Sequence, residues 1–322
     1  MDIAALPKVE LHCHLDGILT PEMARAIRAE DPAFPVGPDD LGARYPVNSL
    51  ERFLHWWGAL EPTKGNLRYF YPIIAQYIAE LKAQNVRYFE LMVAHGELPR
   101  DPGEVVPAIQ AFREWVDEQA GDDIQVEFLV ALGRNKALDF WSIMADKVMA
   151  LHEAGLIVGV ALADLEIGYP VKPLHKHFAR FHEAGLGIEI HAGEWVGPES
   201  VWDALEHGYP DRIGHGVTLF DDPKLIALFQ ERQIHVEMCP TSNLCTGSVA
   251  CLEDHPIQQA RDLGLNFSIN TDDPGPFLNT MNGEYQLAAD LFGFDETDFQ
   301  QIYTNALAAR FQPELRISSL LG

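Results

Sequence analysis

One short pattern returns along the chain and limits its fold more than any other feature: a helix end, a turn residue, and then an apolar, strand-forming run. The turn residues of the five copies are at positions 85, 155, 185, 233 and 264. Residues 152–155 and 182–185 share the sequence His-Glu-Ala-Gly, which we interpret as recurring turn chemistry rather than a duplicated module. Glycine just past a helix can adopt the left-handed conformation of a cap, after which the chain re-enters the interior as a buried strand.

Eight runs are predicted to be strands: residues 9–14, 86–93, 124–132, 156–162, 186–191, 212–215, 234–238 and 265–270. Helices between them are predicted to start at Thr20-Pro21, Asp101-Pro102, Pro198-Glu199, Asp222-Pro223 and residues 295–298, because proline and acidic residues suit a first helical turn. Repeated alternation of strand and helix predicts parallel strands and right-handed crossovers. Eight such units favour a closed α/β barrel of the TIM type, (β/α)8, over an open doubly wound sheet. No linker rich in Pro, Gly or Ser divides the chain, so we expect one domain over residues 1–322.

Composition narrows the class of partner. The 23 Lys and Arg against 48 Asp and Glu give a net charge of −25, which repels phosphate backbones and anionic lipid. We therefore expect neither nucleic acid nor a membrane surface as a partner. The sequence contains no apolar run of the roughly 20 residues that a membrane helix needs, and its N-terminus lacks the pattern of a signal peptide. These features predict a cytoplasmic protein, and they leave the oligomeric state open.

The ends of the predicted strands are rich in metal-ligating side chains. Active sites of such barrels lie where the strands end. His12 and His14 end the first strand on the same face, because side chains alternate along a strand. The later strand ends carry His191 and Glu194, His215, and the adjacent Asp272 and Asp273. Histidines and a carboxylate directed at one mouth suit a divalent transition metal, with zinc favoured and iron(II) or manganese also fitting.

Several other catalytic signatures are absent. The chain lacks the combination of H-x-E with P-C-x-x-C that marks the zinc deaminases of nucleic acids, and it has no H-E-x-x-H, G-x-S-x-G or P-loop.

Five stretches resemble the adenosine deaminase family of the amidohydrolase superfamily. They are PKVELHCHLDG (7–17), HAGE (191–194), RIGHG (212–216), CPTSN (239–243) and NTDDP (270–274). They occur in the family's order and span most of the chain. The resemblance implies a metal-dependent barrel that releases ammonia from a 6-aminopurine.

The resemblance also implies roles for single residues. His12, His14, His191 and Asp272 would hold one zinc, which can lower the pKa of a bound water to about 7. His215 would orient the resulting hydroxide, and Asp272 would accept its proton. Glu194 would protonate purine N1, and Asp273 would hold N7. A carboxyl group in a dry pocket has a raised pKa, which suits the role implied for Glu194.

Two further features concern the substrate. Asp16 is similar to the aspartate with which adenosine-type members contact the ribose 5′-hydroxyl, whereas adenine deaminases usually carry glutamate there. This similarity favours a nucleoside as substrate. Leu50, Phe53, Leu54 and Trp57 recur at helical spacing and resemble the family's hydrophobic lid, a helical insertion after the first strand.

The chain departs from the family pattern at two positions. Asp164 stands where the family has a glycine whose N–H contacts purine N3, and Met92 stands where adenosine deaminases commonly have arginine. These departures concern the substrate rather than the reaction. From the matching motifs and Asp16 we predict deamination of adenosine or a close 6-aminopurine nucleoside. The alternatives are adenine, an N6-substituted purine or another aminated ring as substrate. More distant alternatives are a catalytically silent purine-binding barrel and an amidohydrolase that cleaves a ring amide or ester.

Overall fold

A sheet of eight parallel strands forms the centre of the computed structural model, which describes residues 1–312 and 314. The strands are β1 (Lys8–His14), β2 (Val86–Ala94), β3 (Gln125–Gly133), β4 (Gly159–Ala163), β5 (Gly187–Ala192), β6 (Arg212–His215), β7 (His235–Met238) and β8 (Phe267–Ile269). They pair in chain order. The Asp272 N–H donates to the His12 carbonyl (2.9 Å), and the His14 N–H donates to the Asp272 carbonyl (3.0 Å). These bonds join the segment after β8 to β1, and the predicted (β/α)8 barrel is confirmed.

Helices connect the strands. They are α1 (Pro21–Glu30), α2 (Pro38–Gly42), α3 (Leu50–Trp57), α4 (Tyr71–Ala83), α5 (Pro102–Ala120), α6 (Leu138–Glu153), α7 (His175–Glu183), α8 (Pro198–His207), α9 (Pro223–Arg232), α10 (Pro240–Thr246), α11 (Ile257–Asp262), α12 (Pro274–Phe277), α13 (Met281–Phe292) and α14 (Glu296–Ala309). The helices predicted from Thr20, Asp101, Pro198, Asp222 and Asp295 are all present, beginning at or next to those residues. Helices α1 to α4 all lie between β1 and β2, where the lid insertion remains a prediction. A domain end at residue 322 remains a prediction, because residues 313 and 315–322 lie outside the described part.

The recurring pattern is a helix cap. In its three glycine copies the glycine has a left-handed φ: 69° at Gly155, 81° at Gly185 and 65° at Gly264. The next residue donates its N–H back into the helix: Leu156 to Leu151 (3.0 Å), Leu186 to Phe181 (3.1 Å) and Leu265 to Ala260 (3.0 Å). This bond pattern satisfies carbonyl groups at the helix end. It also explains why β4 and β8 start later than the predicted residues 156 and 265, since these backbone N–H groups still belong to the helix.

The apolar faces of strands and helices share one large buried core, which includes Trp56, Phe112, Phe128, Trp141 and Phe178. Within residues 1–312, none of the helices combines the length and apolar character needed to cross a bilayer.

The cap geometry makes a testable prediction about stability. A Cβ added at Gly155 would meet no atom within 4 Å, so Gly155→Ala tests the left-handed backbone alone. We expect the substitution to lower the free energy of unfolding by about 1 kcal/mol. Gly42→Ala is the matched control, because Gly42 has equally open surroundings but lies in a helix. It should leave stability unchanged or slightly higher in denaturant titrations. Equal losses in both variants would contradict the cap assignment.

Candidate active site

The residues predicted as metal ligands converge at the carboxyl ends of the strands. The ring centres of His12 and His191 are 4.6 Å apart, and those of His14 and His191 are 5.4 Å apart. Asp272 Oδ1 lies 3.4 Å from Nε2 of His12 and 3.4 Å from Nε2 of His14. The closing of the barrel produces this convergence, because it sets β1 beside the segment that follows β8.

The chemistry of this cluster fits a divalent cation. The ligand atoms of His12, His14 and Asp272 all lie within 4.8 Å of one another, as do those of His12, His191 and His215. All these side chains are buried. Among the described residues, Nε2 of His191 has no hydrogen-bond partner. A buried polar atom is costly without a partner, and imidazole and carboxylate are the ligands that zinc prefers.

The pKa directions differ within the cluster: they favour neutral His14 and His191, a proton on His12 and an ionised Asp272. Burial lowers the pKa of His14 to about 4 and that of His191 well below its usual value. Burial acts against the ionised form of Asp272, but its hydrogen bond with His12 and the histidine charges bring its pKa far below the usual range. Burial likewise disfavours a proton on His12, yet its bonds with Asp272 and Glu237 raise its pKa. The same carboxylates that favour a proton on His12 would also stabilise a bound cation.

A chain of buried charges orients His12. Its Nδ1 lies 2.7 Å from Glu237 Oε2 on β7. Glu237 in turn forms an ion pair with Arg212 on β6 (2.5 Å), and Arg212 forms another with Glu90 on β2 (2.6 Å). Carboxylates of this kind fix the ring orientation and tautomer of a ligating histidine.

The two aspartates after β8 differ in their surroundings. Ser242 Oγ donates to Asp272 Oδ2 (2.6 Å), which leaves Oδ1 directed at the histidines. The Asp273 carboxylate lies against Gly17, where a Cβ would come within 1.8 Å of Oδ1. Only glycine at position 17 allows this approach. Burial, and then the charge of Asp272, raise the pKa of Asp273 well above its usual value.

Glu194 is held above the cluster by the buried side chain of Glu166. The Glu166 carboxylate accepts hydrogen bonds from the backbone N–H groups of Gly193 (2.7 Å), Glu194 (3.1 Å), Trp195 (2.7 Å) and Val196 (2.9 Å). The Glu166 side chain therefore anchors four consecutive residues of the loop that carries Glu194. Burial, together with the charge of Asp272, raises the pKa of Glu194 well above its usual value. A neutral carboxyl group of this kind can donate a proton to a bound ring.

His215 stands on the other side of Glu194. Its Nε2 lies 3.5 Å from Glu194 Oε2 and 3.3 Å from His191 Nδ1. Its Nδ1 lies 3.1 Å from the amide nitrogen of Asn243. Burial lowers its pKa to about 3, so the ring is neutral. The backbone of His215 has a φ of 63°, a strained value for a residue with a side chain.

A cavity of about 260 Å³ opens beside this cluster. The predicted polar residues other than His12 all line it: His14, Asp16, Asp164, His191, Glu194, His215, Asp272 and Asp273. Phe53, Leu54 and Trp57 of α3 line the same cavity and supply an apolar wall, while Leu50 packs against the core beside it. Such a mixture of apolar wall and convergent polar groups is typical of a small-molecule site. Movement of α3 as a lid remains a prediction.

Asp16 is paired with Glu97, a residue that the sequence did not single out. Glu97 follows β2, is buried, and accepts the Ala94 N–H (2.9 Å). Burial raises the pKa of Asp16 to about 6, and burial and the charge of Asp16 raise that of Glu97 well above its usual value. The two carboxyl groups therefore form a pair in which both pKa values are raised.

The two departures from the family pattern have different environments. Asp164 keeps the left-handed backbone that glycine adopts easily, with a φ of 75°. Its carboxylate accepts the Leu165 N–H (2.8 Å) and lies 3.7 Å from Lys136 Nζ. Met92 is buried in the barrel interior with Leu129, Ala131 and Ala161.

Sequence reasoning assigned no role to the residues that support the site, although Arg212, Ser242 and Asn243 lie in the quoted family stretches. The others are Glu97, Glu166 and Glu237. One signal was available, because Glu90, Glu189, Arg212 and Glu237 are charged residues within otherwise apolar strands. Charged residues in a buried strand must find partners inside the barrel.

The family model described as adenosine deaminase matches residues 7–321. The chain is 33% identical to the aminodeoxyfutalosine deaminase of Streptomyces avermitilis, over 96% of this chain and 87% of that protein. It is 30% identical to the adenine deaminase of Rhizobium leguminosarum bv. trifolii, over 98% of both chains. Its fold is similar to the crystal structure of a zinc-bound amidohydrolase from Burkholderia ambifaria, with a TM-score of 0.83 and 26% identity over 97% of this chain and 87% of that one.

Full-length sequence similarity and barrel architecture agree with the residues gathered at the mouth. The protein is an aminopurine deaminase of hydrolytic type, and the chain belongs to the adenosine deaminase family.

Proposed function

We propose that the protein is a zinc-dependent hydrolase that converts adenosine, or a closely related 6-aminopurine nucleoside, to its 6-oxo product and ammonia. The observation that carries this proposal is the convergence of His12, His14, His191 and Asp272 beside a buried Glu194 whose pKa is raised by burial. A binding protein has no need of an acid beside a cation site. The zinc-bound relative of similar fold supports the choice of metal.

In this proposal the chain positions a water molecule against C6 of the purine. Zinc held by His12, His14, His191 and Asp272 would lower the pKa of that water and so supply a nucleophile at neutral pH. Asp272 takes the proton that the water loses. Ser242 donates a hydrogen bond to Oδ2 of Asp272 and so holds the carboxylate in this orientation.

Three further side chains act on the ring. Glu194 donates a proton to N1, which makes C6 electrophilic, and Asp273 holds N7. His215 donates a hydrogen bond to the oxygen that adds to C6. The proton taken by Asp272 passes to the leaving nitrogen, the C6–N bond breaks, and ammonia departs. The proton of the added hydroxyl group passes to Glu194 as the 6-oxo group forms, so the product keeps its proton on N1 and Glu194 is neutral again.

The sugar side of the cavity favours a nucleoside. The Asp16 and Glu97 pair offers both a donor and an acceptor to a hydroxyl group. A larger 6-aminopurine nucleoside is a second candidate, because Lys64, His95 and Lys136 also line the cavity and adenosine leaves them unused. The similarity to an aminodeoxyfutalosine deaminase supports this candidate.

Removal of the metal tests the cation site. Dialysis against a chelator should abolish ammonia release, and one equivalent of zinc per chain should restore it. His191→Ala should lower zinc content, because it removes a ligand. His152→Ala, at a histidine outside the cluster on α6, is the control and should keep full zinc content. A folded protein that binds no divalent ion under any loading condition would contradict the proposal.

Substitution of Glu194 by glutamine tests the proton donor. We expect kcat to fall by about 10²–10⁴-fold, because glutamine cannot protonate N1. Zinc content should stay normal, since Glu194 is not a proposed ligand. Glu199→Gln, an exposed acid on α8, is the control. Unchanged turnover in Glu194→Gln would refute its assignment as the donor.

A substrate panel tests the sugar contact. Ammonia release should be compared for adenosine, aminodeoxyfutalosine and adenine. Asp16→Ala should lower kcat/KM for the preferred nucleoside by about 10–100-fold, the loss expected for a hydrogen bond to a charged group. Turnover of adenine should not change. If the wild-type protein deaminates adenine far faster than either nucleoside, the nucleoside assignment is wrong.

A further inference from the structure

A line of hydrogen bonds leads from His215 away from the cavity into the protein. Asn243 lies on α10, and its amide nitrogen is 3.1 Å from His215 Nδ1. The amide oxygen of Asn243 is 3.1 Å from Nε2 of His255. The Ile257 backbone N–H then donates to Nδ1 of His255 (3.2 Å). His215, Asn243, His255 and Ile257 are all buried, so water does not compete for these bonds.

The direction of every bond in this line follows from its far end. A backbone N–H can only donate, so Nδ1 of His255 must be an unprotonated acceptor. Burial lowers the pKa of His255 to about 3, and its ring is therefore neutral with its proton on Nε2. That proton is donated to the Asn243 oxygen, which turns the Asn243 NH2 group toward His215. Nδ1 of His215 must then accept.

We propose that Asn243 and His255 are positioning residues that fix His215 as the tautomer with its proton on Nε2. The backbone helps to hold this line in place, because the Asn243 N–H donates to the Cys239 carbonyl (2.9 Å) and the Val249 N–H donates to the Asn243 carbonyl (3.1 Å). Nε2 of His215 lies 3.3 Å from Nδ1 of His191 and 3.5 Å from Oε2 of Glu194, so a proton on Nε2 faces the cluster and the cavity.

This inference rests on the proposed function and sharpens it. With its proton on Nε2 and its Nδ1 occupied, His215 can donate a hydrogen bond to the oxygen that adds to C6. It has no free lone pair with which to take a proton from water. The proton must therefore go to Asp272, and the two residues have distinct roles that are set by groups outside the cavity.

The direct test is ¹⁵N NMR of the zinc-loaded protein labelled at histidine. His215 should show a protonated Nε2 and an unprotonated Nδ1, with its signals assigned by their loss in His215→Gln. His255 should show the same tautomer. A proton on Nδ1 of His215 would overturn the proposal. This measurement needs no turnover, so it decides the tautomer even if the protein deaminates none of the purines tested.

Two variants at position 255 provide the kinetic test. His255→Leu removes the donor to Asn243, frees its amide to rotate, and should lower kcat by about 10–100-fold with little change in KM or zinc content. His255→Gln keeps an N–H donor and should recover most of kcat. Asn243→Leu should show a kcat loss at least as large as that of His255→Leu.

A merely structural role gives a different result. His235→Leu is the matched control, since His235 is another buried histidine held by two polar side chains, Asn266 (2.8 Å) and Ser268 (2.9 Å). It should lower stability but leave kcat unchanged. The proposal fails if His255→Leu and Asn243→Leu retain wild-type kcat, or if His255→Gln is as impaired as His255→Leu while His215 keeps the same tautomer in all three.

Discussion

The active site depends on a line of alternating charges buried inside the barrel. It runs from His12 at the mouth through Glu237 and Arg212 to Glu90. Each of these groups would be expensive to bury alone, by several kcal/mol per charge in real proteins. Together they leave Glu237 ionised, because the charge of Arg212 and the bond from His12 lower its pKa against the effect of burial. The orientation of His12 is thus determined by groups on three other strands.

Glu90, at the other end of this line, is also surrounded by protein groups. The Tyr88 hydroxyl donates to Glu90 Oε1 (2.8 Å), and so does the Phe311 N–H (2.8 Å). The guanidinium of Arg212 lies over the Phe311 ring, 3.5 Å from its centre. The segment after α14 therefore covers the lower end of the barrel and keeps water from the ion pairs. The line of charges thus connects the histidine cluster at the mouth with the Phe311 ring at the other end of the barrel.

The sequence predicted the barrel well because its signals are local. Turn residues, helix starts and apolar runs each depend on neighbouring residues, and the strand ends could be read directly from them. The polar residues at those ends, such as His12, Glu194 and Asp272, followed from position alone. The supporting residues did not, because Glu166, Asn243 and Glu237 act on partners far away in the chain. An apolar run does not show which face of a fully buried parallel strand points into the barrel. For the same reason, the sequence did not predict the pairing of Asp16 with Glu97.

The residues that line the cavity also differ in which groups hold them in place. His215 and Asp272 have left-handed backbones at strand ends, with φ of 63° and 64°, and such strain persists only where surrounding bonds hold the residues in place. Ser242 and Asn243, one after the other on α10, supply those bonds to both. Asp164 shows the same kind of backbone, and its carboxylate accepts the N–H of the next residue and lies 3.7 Å from Nζ of the half-buried Lys136. His215 and Asp272 are therefore held by bonds from a neighbouring helix, whereas Asp164 is held by contacts on its own side of the cavity. A departure from the family pattern at position 164 thus leaves the bonds that hold the histidine and aspartate cluster at the mouth as they are.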